Sequence, residues 1–196
     1  ISLGVDRFAN IKPLVAIAQE LIKIDNNDDC AIHYCVYHSQ FTLAMRSLIE
    51  EKLDRLLTRK DVNSIWQEAE IIQSIQKNAH AKHHIFVVLA TSVCEVGRDH
   101  DYDWAIAEPS SVRSMIQLGG RVQRHRKQNV HCANLLLLNQ NYKTLINKKL
   151  VYEKPGFETH KMLIDGDKSL NCILPKQYYQ TINAIPSIQK IEGLPQ

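Results

Sequence analysis

One short apolar run constrains the fold more than any other part of the 196-residue chain, namely Ile85-Phe86-Val87-Val88-Leu89-Ala90. It is uninterrupted, so both faces of the strand that it predicts must be covered by other parts of the protein. Similar runs lie at 30–37, 103–107 and 130–138, and stretches with helical periodicity separate them. Strands that alternate with helices are typical of a parallel sheet. The sequence therefore predicts an α/β fold with helices on both faces of the sheet.

Several elements carry specific expectations about packing. The strand at 30–37 is apolar on both faces, which is typical of a central parallel strand. A helix is expected at about 40–58, and its packing face would carry Phe41, Ala44, Met45 and Leu48. After about Asn139 the periodicity weakens and prolines become frequent. Residues 1–140 are therefore predicted as one domain, and 141–196 as an irregular C-terminal extension or the start of an accessory domain.

Composition limits the class of protein. The chain is 44% hydrophobic and 23% charged, as expected of a globular domain, and its net charge of +3 does not by itself indicate nucleic acid. No apolar run approaches the roughly 20 residues that cross a bilayer, so we expect no membrane partner. Five cysteines without a CxxC pair suit the cytoplasm. The chain opens at Ile1 without an initiator Met or a signal pattern, which suggests a piece of a longer protein.

A basic stretch follows the predicted strand at 103–107 and runs from Gln117 to Arg126. As a helix, it would place Gln117, Arg121 and Arg124 on one face, with Arg126 and Lys127 adding to the local charge. Two guanidiniums that project together can clamp a phosphate whose negative charge grows in a transition state. A solvated basic helix face is the alternative, and this stretch alone does not decide between them.

Polar residues follow two of the predicted strands at their carboxyl ends, where open α/β sheets bind ligands. The loop Thr91–Asp99 contains Gly97, which permits close backbone approach, and Asp99, which could accept a hydrogen bond from a sugar hydroxyl. Ser39 follows the strand at 30–37. It could cap the next helix, which is the simpler interpretation, or bind a phosphate of a nucleic-acid backbone.

Two acidic patterns partly match known metal-binding motifs. Asp99, Asp101 and Asp103 alternate like the start of a calcium loop, but Trp104 stands where such a loop needs glycine. His100-Asp101 matches the HD dyad of a metal site, but the further His and Asp ligands that such a metal site requires are not identifiable in the sequence. The sequence therefore predicts no metal site in this chain.

Taken together, the motifs resemble those of superfamily 2 helicases. Thr91, Glu95, Gly97 and Asp99 are similar to motif V, and Gln117-x-x-Gly120-Arg121-x-x-Arg124 is similar to motif VI. Within that superfamily, the residues of these motifs resemble the CRISPR-associated helicase–nuclease of type I systems. The segment Tyr152 to Glu158 resembles its subtype I-F. The resemblance covers residues from about 7 to 160.

This resemblance implies the second RecA-like domain of a motor. In the family, two such domains clamp ATP and Mg²⁺ and move along single-stranded DNA. A separate HD domain, which needs its own divalent metal, cuts the strand after a guide-RNA surveillance complex has recruited the enzyme. The implied partners of this chain are single-stranded DNA, the first RecA-like domain, the surveillance complex and the CRISPR integrase.

The resemblance also implies residue roles. Arg121 and Arg124 would be the arginine fingers at the γ-phosphate. Leu118 stands where DEAD-box helicases have a further arginine, so a three-arginine clamp is not supported. The residues expected on the nucleotide are Gly97, Asp99, Gln117 and Gly120, and those expected on the DNA backbone are His38, Ser39, Thr91 and Ser92.

Two motifs that a complete motor needs are missing from the sequence. It contains no G-x-x-x-x-G-K-[ST] loop to cradle phosphates and no DE-x-[DH] motif to hold Mg²⁺. We therefore expect this chain alone to be inactive. The alternatives are a half of another superfamily 2 translocase or RNA helicase, and a non-catalytic module that binds nucleic acid or protein through its basic face.

Overall fold

A five-stranded parallel sheet forms the centre of the computed structural model, which describes residues 1–27, 29–61, 63–126, 129–153 and 156–188. The strand order is β2-β3-β1-β4-β5, and every neighbouring pair is parallel. The strands are β1 Ser2–Arg7, β2 Cys30–Tyr37, β3 His83–Ala90, β4 Trp104–Ala107 and β5 Leu135–Leu137.

Helices cover both faces of this sheet. They are α1 Ile11–Leu21, α2 Leu43–Leu57, α3 Ala69–Lys77, α4 Val112–Gly119, α5 Tyr142–Leu145, α6 Leu170–Ile173 and α7 Ile185–Ile188. Val87 and Leu89 of β3 pack with α1, whereas Val88 points to the opposite face and packs with α2 and α3. This alternation confirms the predicted parallel α/β fold. Within the described ranges, no helix is both long and apolar enough to cross a bilayer.

The central strand is β1, which the sequence did not predict. Gly4, Asp6 and Arg7 interrupt its apolar pattern. The indole of Trp104 crosses Gly4, and its Nε1 donates to Ser2 Oγ at 2.8 Å. The prediction that β2 is central is wrong, because β1 occupies that place and β2 lies at the edge.

Helix α2 also differs from its prediction. It begins at Leu43 rather than near residue 40, and its amino-terminal half projects away from the core. Met45 is 50% exposed and Leu48 62% exposed, whereas Leu53, Leu56 and Leu57 are buried. The predicted packing face is therefore wrong: the carboxyl-terminal half of the helix supplies the contacts to the sheet.

The segment after β5 is the partly irregular extension that the sequence predicted, and the helices in its described residues are short. The strand predicted at 130–138 is shorter in the structure, where β5 covers only Leu135–Leu137. Met115 of α4 packs into a second core with residues of the extension, namely Val151, Tyr152, Ile173, Leu174 and Tyr178. The division of the chain at residue 140 stays a prediction.

The motif Tyr152 to Glu158 shapes this extension. Glu158 accepts hydrogen bonds from the backbone N–H groups of Val151, Tyr152 and Ile164 at 2.7–2.8 Å, and Lys168 Nζ donates to it at 2.7 Å. The chain is thereby drawn into a tight turn around a buried carboxylate. Lys154 and Pro155 of the motif, and the residues after 188, lie outside the described residues.

Candidate functional site

The residues predicted to bind ligands gather at the carboxyl edge of the sheet. The segment after β3 carries Thr91 to Asp99, and the segment after β4 leads into α4. Ser111 caps α4, because its hydroxyl accepts from Ser114 N at 3.2 Å. Since all strands are parallel, these segments meet at one edge.

The basic stretch is not one continuous helix, so the predicted shared helical face is wrong. Helix α4 ends at Gly119, and Gln123 has a positive φ of 49°. Arg121 accepts a backbone hydrogen bond from Tyr102 N at 2.8 Å, and Gln123 N donates to Tyr102 O at 2.8 Å. Pairing with Tyr102 pulls the chain out of the helix. Gln117 lies in the last helical turn and Arg121 and Arg124 in the loop that follows.

The alternating aspartates hold this loop in place. Buried Asp101 accepts from the backbone N–H groups of Arg124 and His125 at 3.1 and 3.2 Å, and from Arg126 Nη2 at 2.7 Å. Asp103 contacts Arg126 and accepts from Arg59 Nη1 at 2.7 Å. Across the described residues, no group of three or more His, Cys, Asp or Glu side chains is arranged to hold a metal ion. The acidic pattern organises the loop.

Arg121 points its guanidinium toward the loop after β3. Its Nε and Nη2 donate to the carbonyl oxygen of Glu95 at 3.3 and 3.0 Å. Within the part of the chain that the structure describes, it forms no ion pair with a carboxylate. Partial burial, together with the charge of Arg124, lowers the pKa of Arg121. A cation in these surroundings would be stabilised by an incoming anion.

Asp99 faces the second arginine. Its Oδ1 lies 2.8 Å from Arg124 Nε and 3.0 Å from His125 Nε2. Desolvation opposes ionisation, but the two neighbours outweigh it, so the pKa of Asp99 is lowered. Arg124 Nη1 also donates to Gly120 O at 3.1 Å. Exposed pairs of this kind contribute little stability, so an incoming anion can displace Asp99 from Arg124. Gly97, with a φ of 70°, is exposed and leaves the approach open.

A buried ion pair lies beneath Arg121. Arg7, at the end of β1, places Nε 3.0 Å from Glu95 Oε1 and donates from Nη2 to Ser110 Oγ at 2.8 Å. Ser114 Oγ donates to Glu95 Oε2 at 2.5 Å. Sequence reasoning missed this pairing, because the partners are far apart along the chain. The available signal in the sequence was the charged residue Arg7, which follows the apolar residues Leu3 and Val5 at the end of β1.

An open cleft collects most of the residues predicted to contact DNA. Ser39, Thr91 and Ser92 line it, together with residues that the sequence did not single out: Asn10, Lys12, Gln40, Lys143 and Lys148. Ser39 is exposed and does not cap α2, whose N-cap position is Thr42. The lysines were missed because the extension brings two of them to the cleft.

His38 is placed differently from the other three. It is buried, its Nδ1 accepts from Gln40 N at 3.3 Å, and its ring stacks on Phe41 with centroids 4.3 Å apart. Burial lowers the pKa of His38. It shapes the turn that presents Ser39. Lys127, which the sequence added to the basic stretch, lies outside the described residues.

Comparison with known proteins points in one direction. The family described as "CRISPR-associated nuclease/helicase Cas3, C-terminal" matches residues 2–127. A "CRISPR-associated nuclease/helicase Cas3 subtype I-F/YPEST" of Pectobacterium atrosepticum is 50% identical over 191 residues, covering 96% of this chain and 17% of that protein. A protein of the same name from Pseudomonas aeruginosa is 43% identical over 190 residues, covering 96% and 18%. The chain thus spans less than a fifth of either relative.

The structure is similar to the crystal structure of T. fusca Cas3, with a TM-score of 0.50 and 17% identity, over 77% of this chain and 15% of that one. This likeness concerns the fold alone and agrees with a RecA-like sheet. The two relatives confirm the predicted resemblance to subtype I-F. With the family match extending from β1 through the arginine loop, this chain belongs to the family of the C-terminal part of the CRISPR-associated nuclease/helicase Cas3.

Proposed function

We propose that residues 1–140 are the second motor domain of an ATP-dependent single-stranded DNA helicase or translocase. With a separate HD nuclease domain, this motor degrades foreign DNA in CRISPR interference. The observation that carries the proposal is Arg121: a partly buried guanidinium, anchored on a backbone carbonyl, unpaired with any carboxylate among the described residues and adjacent to Arg124. A cation that is already oriented and has no competing anion suits the role of an arginine finger.

In this proposal, the first RecA-like domain holds most of the ATP and its Mg²⁺. Arg121 and Arg124 reach the γ-phosphate from the loop after α4, and Arg124 exchanges Asp99 for the phosphate. Asp99 and Gly97 approach the ribose, while Gln117 and Gly120 support the arginines from the helix end. The bound Mg²⁺ supplies charge neutralisation of the phosphates. The residues of this chain orient the arginines and keep them desolvated.

The open cleft is the proposed DNA track. Hydroxyl groups of Ser39, Thr91 and Ser92 suit phosphate oxygens, and Lys12 and Lys143 add positive charge beside them. The surveillance complex, the CRISPR integrase and the divalent metal of the HD domain are assigned to the longer enzyme, which we expect in the cytoplasm. Tyr142, Lys143 and Lys148 of the extension line one side of this proposed track.

The proposal is tested in the full-length enzyme with Arg121→Ala and Arg124→Ala. Each should lower DNA-stimulated ATP turnover on the order of 10³-fold, because arginine fingers stabilise the transition state, while single-stranded DNA binding largely survives. Arg113→Ala is the matched control, since Arg113 is an exposed arginine of α4 outside the loop. Equal loss of turnover and DNA binding would support a non-catalytic binding module and overturn the motor assignment.

A further inference from the structure

The anchor of Arg121 is the backbone of Glu95, and that backbone depends on the Glu95 side chain. Arg121 reaches Glu95 O through two nitrogens. The Glu95 carboxylate is buried: Ser114 Oγ donates a hydrogen bond to Oε2, and Oε1 lies in an ion pair with Arg7 Nε at 3.0 Å without hydrogen-bond geometry. A residue fixed at its side chain cannot easily move its carbonyl. The position of Arg121 is thus set by contacts beneath the loop.

These contacts come from three separate elements. Arg7 ends the central strand β1, Ser114 belongs to α4, and Ser110, which holds Arg7 from the other side, lies in the turn between β4 and α4. Arg7 is completely buried, and among the described residues neither its Nε nor its Nη1 has a hydrogen-bond partner, although Nε lies in the ion pair with Glu95. A buried guanidinium with an unpaired nitrogen is a costly arrangement in a fold that needs only packing. A buried guanidinium of this kind is suited to fixing the position of a neighbouring group, here the Glu95 carboxylate.

We infer that Glu95 and Ser114 are positioning residues for the arginine finger Arg121, with Arg7 holding the Glu95 carboxylate in place. This inference rests on the proposed function of Arg121. Glu95 touches neither nucleotide nor DNA in this arrangement; it acts through its carbonyl oxygen. Loosening that anchor lets the guanidinium leave the line of the γ-phosphate, and a displacement of about 1 Å can cost on the order of 10²-fold in rate.

The test uses Ser114→Ala in the full-length enzyme, because this change removes one hydroxyl and leaves the buried charge pair intact. We expect kcat for ATP to fall roughly 10-fold or more, as for a misplaced catalytic group, with KM for ATP nearly unchanged. Because Glu95 Oε2 loses its donor, the midpoint of thermal unfolding should also fall by a few degrees, so turnover is measured well below that midpoint. Ser114→Thr restores a hydroxyl and should recover turnover. The matched control is Ser74→Ala on α3, a serine outside the site. Wild-type kcat in Ser114→Ala overturns the inference.

A second measurement separates positioning from a merely structural role. Ser114→Ala is combined with Arg121→Lys, a variant that cannot use the two-nitrogen anchor but leaves residual turnover. If Ser114 acts through Arg121, the second change adds no further loss in that background; full additivity overturns the inference. Glu95→Gln should repeat the kcat loss without a change in KM. A Glu95→Gln loss that merely follows the unfolded fraction counts against it.

Failure of the proposed function would look different. If Arg121→Lys itself turns over ATP at the wild-type rate, Arg121 is no finger, and both the function and the inference fall. If kcat for ATP is strongly reduced in Arg121→Lys but unchanged in Ser114→Ala and Glu95→Gln, only the inference is overturned.

Discussion

Two arginines of the same loop have opposite surroundings. Arg126 is 12% exposed and contacts buried Asp101 and partly buried Asp103, whereas Arg124 is 40% exposed and pairs with half-exposed Asp99. Sequence spacing alone treats them as equivalent members of one basic patch. The difference between them arises because Tyr102 pairs with the loop and turns Arg126 toward the aspartates.

The two arginines should therefore separate in stability measurements on this chain. Arg126→Ala removes the one cation that pairs with buried Asp101 among the described residues and one of the two that pair with Asp103, so it should lower the free energy of unfolding by about 2–3 kcal/mol. Arg124→Ala removes an exposed pair and should change it by less than about 1 kcal/mol. Urea denaturation followed by circular dichroism measures both. Similar losses in the two variants would contradict this assignment.

At the scale of elements, β1 depends on a close approach that glycine allows. A Cβ at residue 4 would lie 2.2 Å from atoms of the Trp104 indole. Gly4→Ala should thus lower the free energy of unfolding by roughly 1–3 kcal/mol through overpacking. Gly120→Ala is the control, because its Cβ would meet ordinary contacts of 3.5 Å. Thermal unfolding that is identical in both variants would argue against this packing of the central strand.

The extension carries an acid-sensitive element. Burial opposes ionisation of Glu158, but Lys168 and three backbone N–H groups outweigh it and hold its pKa at about 2, against an ordinary 4.5. Because this folded-state pKa is depressed, the stabilisation is complete above about pH 4.5 and is lost as the pH falls toward 2. It amounts to about 3 kcal/mol at neutral pH.

Glu158→Gln should consequently lower stability at neutral pH and flatten its fall between about pH 4.5 and 2. Asp165→Asn, an exposed carboxyl of the same segment, should leave the profile unchanged. Denaturation midpoints across this pH range provide the measurement. A profile for Glu158→Gln that parallels the wild type would show that Glu158 does not hold the extension together.

Sequence reasoning succeeded where the signal is local. The apolar run of β3 predicted a buried strand, and the order of Gly97, Asp99, Arg121 and Arg124 predicted which residues meet at the sheet edge. It failed where stability comes from partners distant in sequence. Strand β1 combines glycine with charged residues, and only pairing with β3 and β4 makes it a strand.

At the scale of the whole molecule, the prediction concerns catalysis, because the sequence has neither the phosphate-binding loop nor the Mg²⁺-binding motif. Purified residues 1–196 should neither hydrolyse ATP nor cut DNA, because arginine fingers act only on nucleotide that is already bound. A phosphate-release assay compares the chain with its Arg121→Ala, Arg124→Ala double variant. ATP hydrolysis by the wild-type chain that exceeds the double variant would contradict this expectation.

The central place of β1 also governs how the chain folds. Residues 2–7 pair with 85–90 on one side and with the strand beginning at Trp104 on the other. The first strand along the chain therefore pairs with two strands that lie far from it in sequence. Without it, the sheet separates into two isolated pairs, β2–β3 and β4–β5. Closing such long loops costs entropy before any contact compensates for it. We therefore expect slow assembly, with β1 inserting between the two strand pairs as the last step.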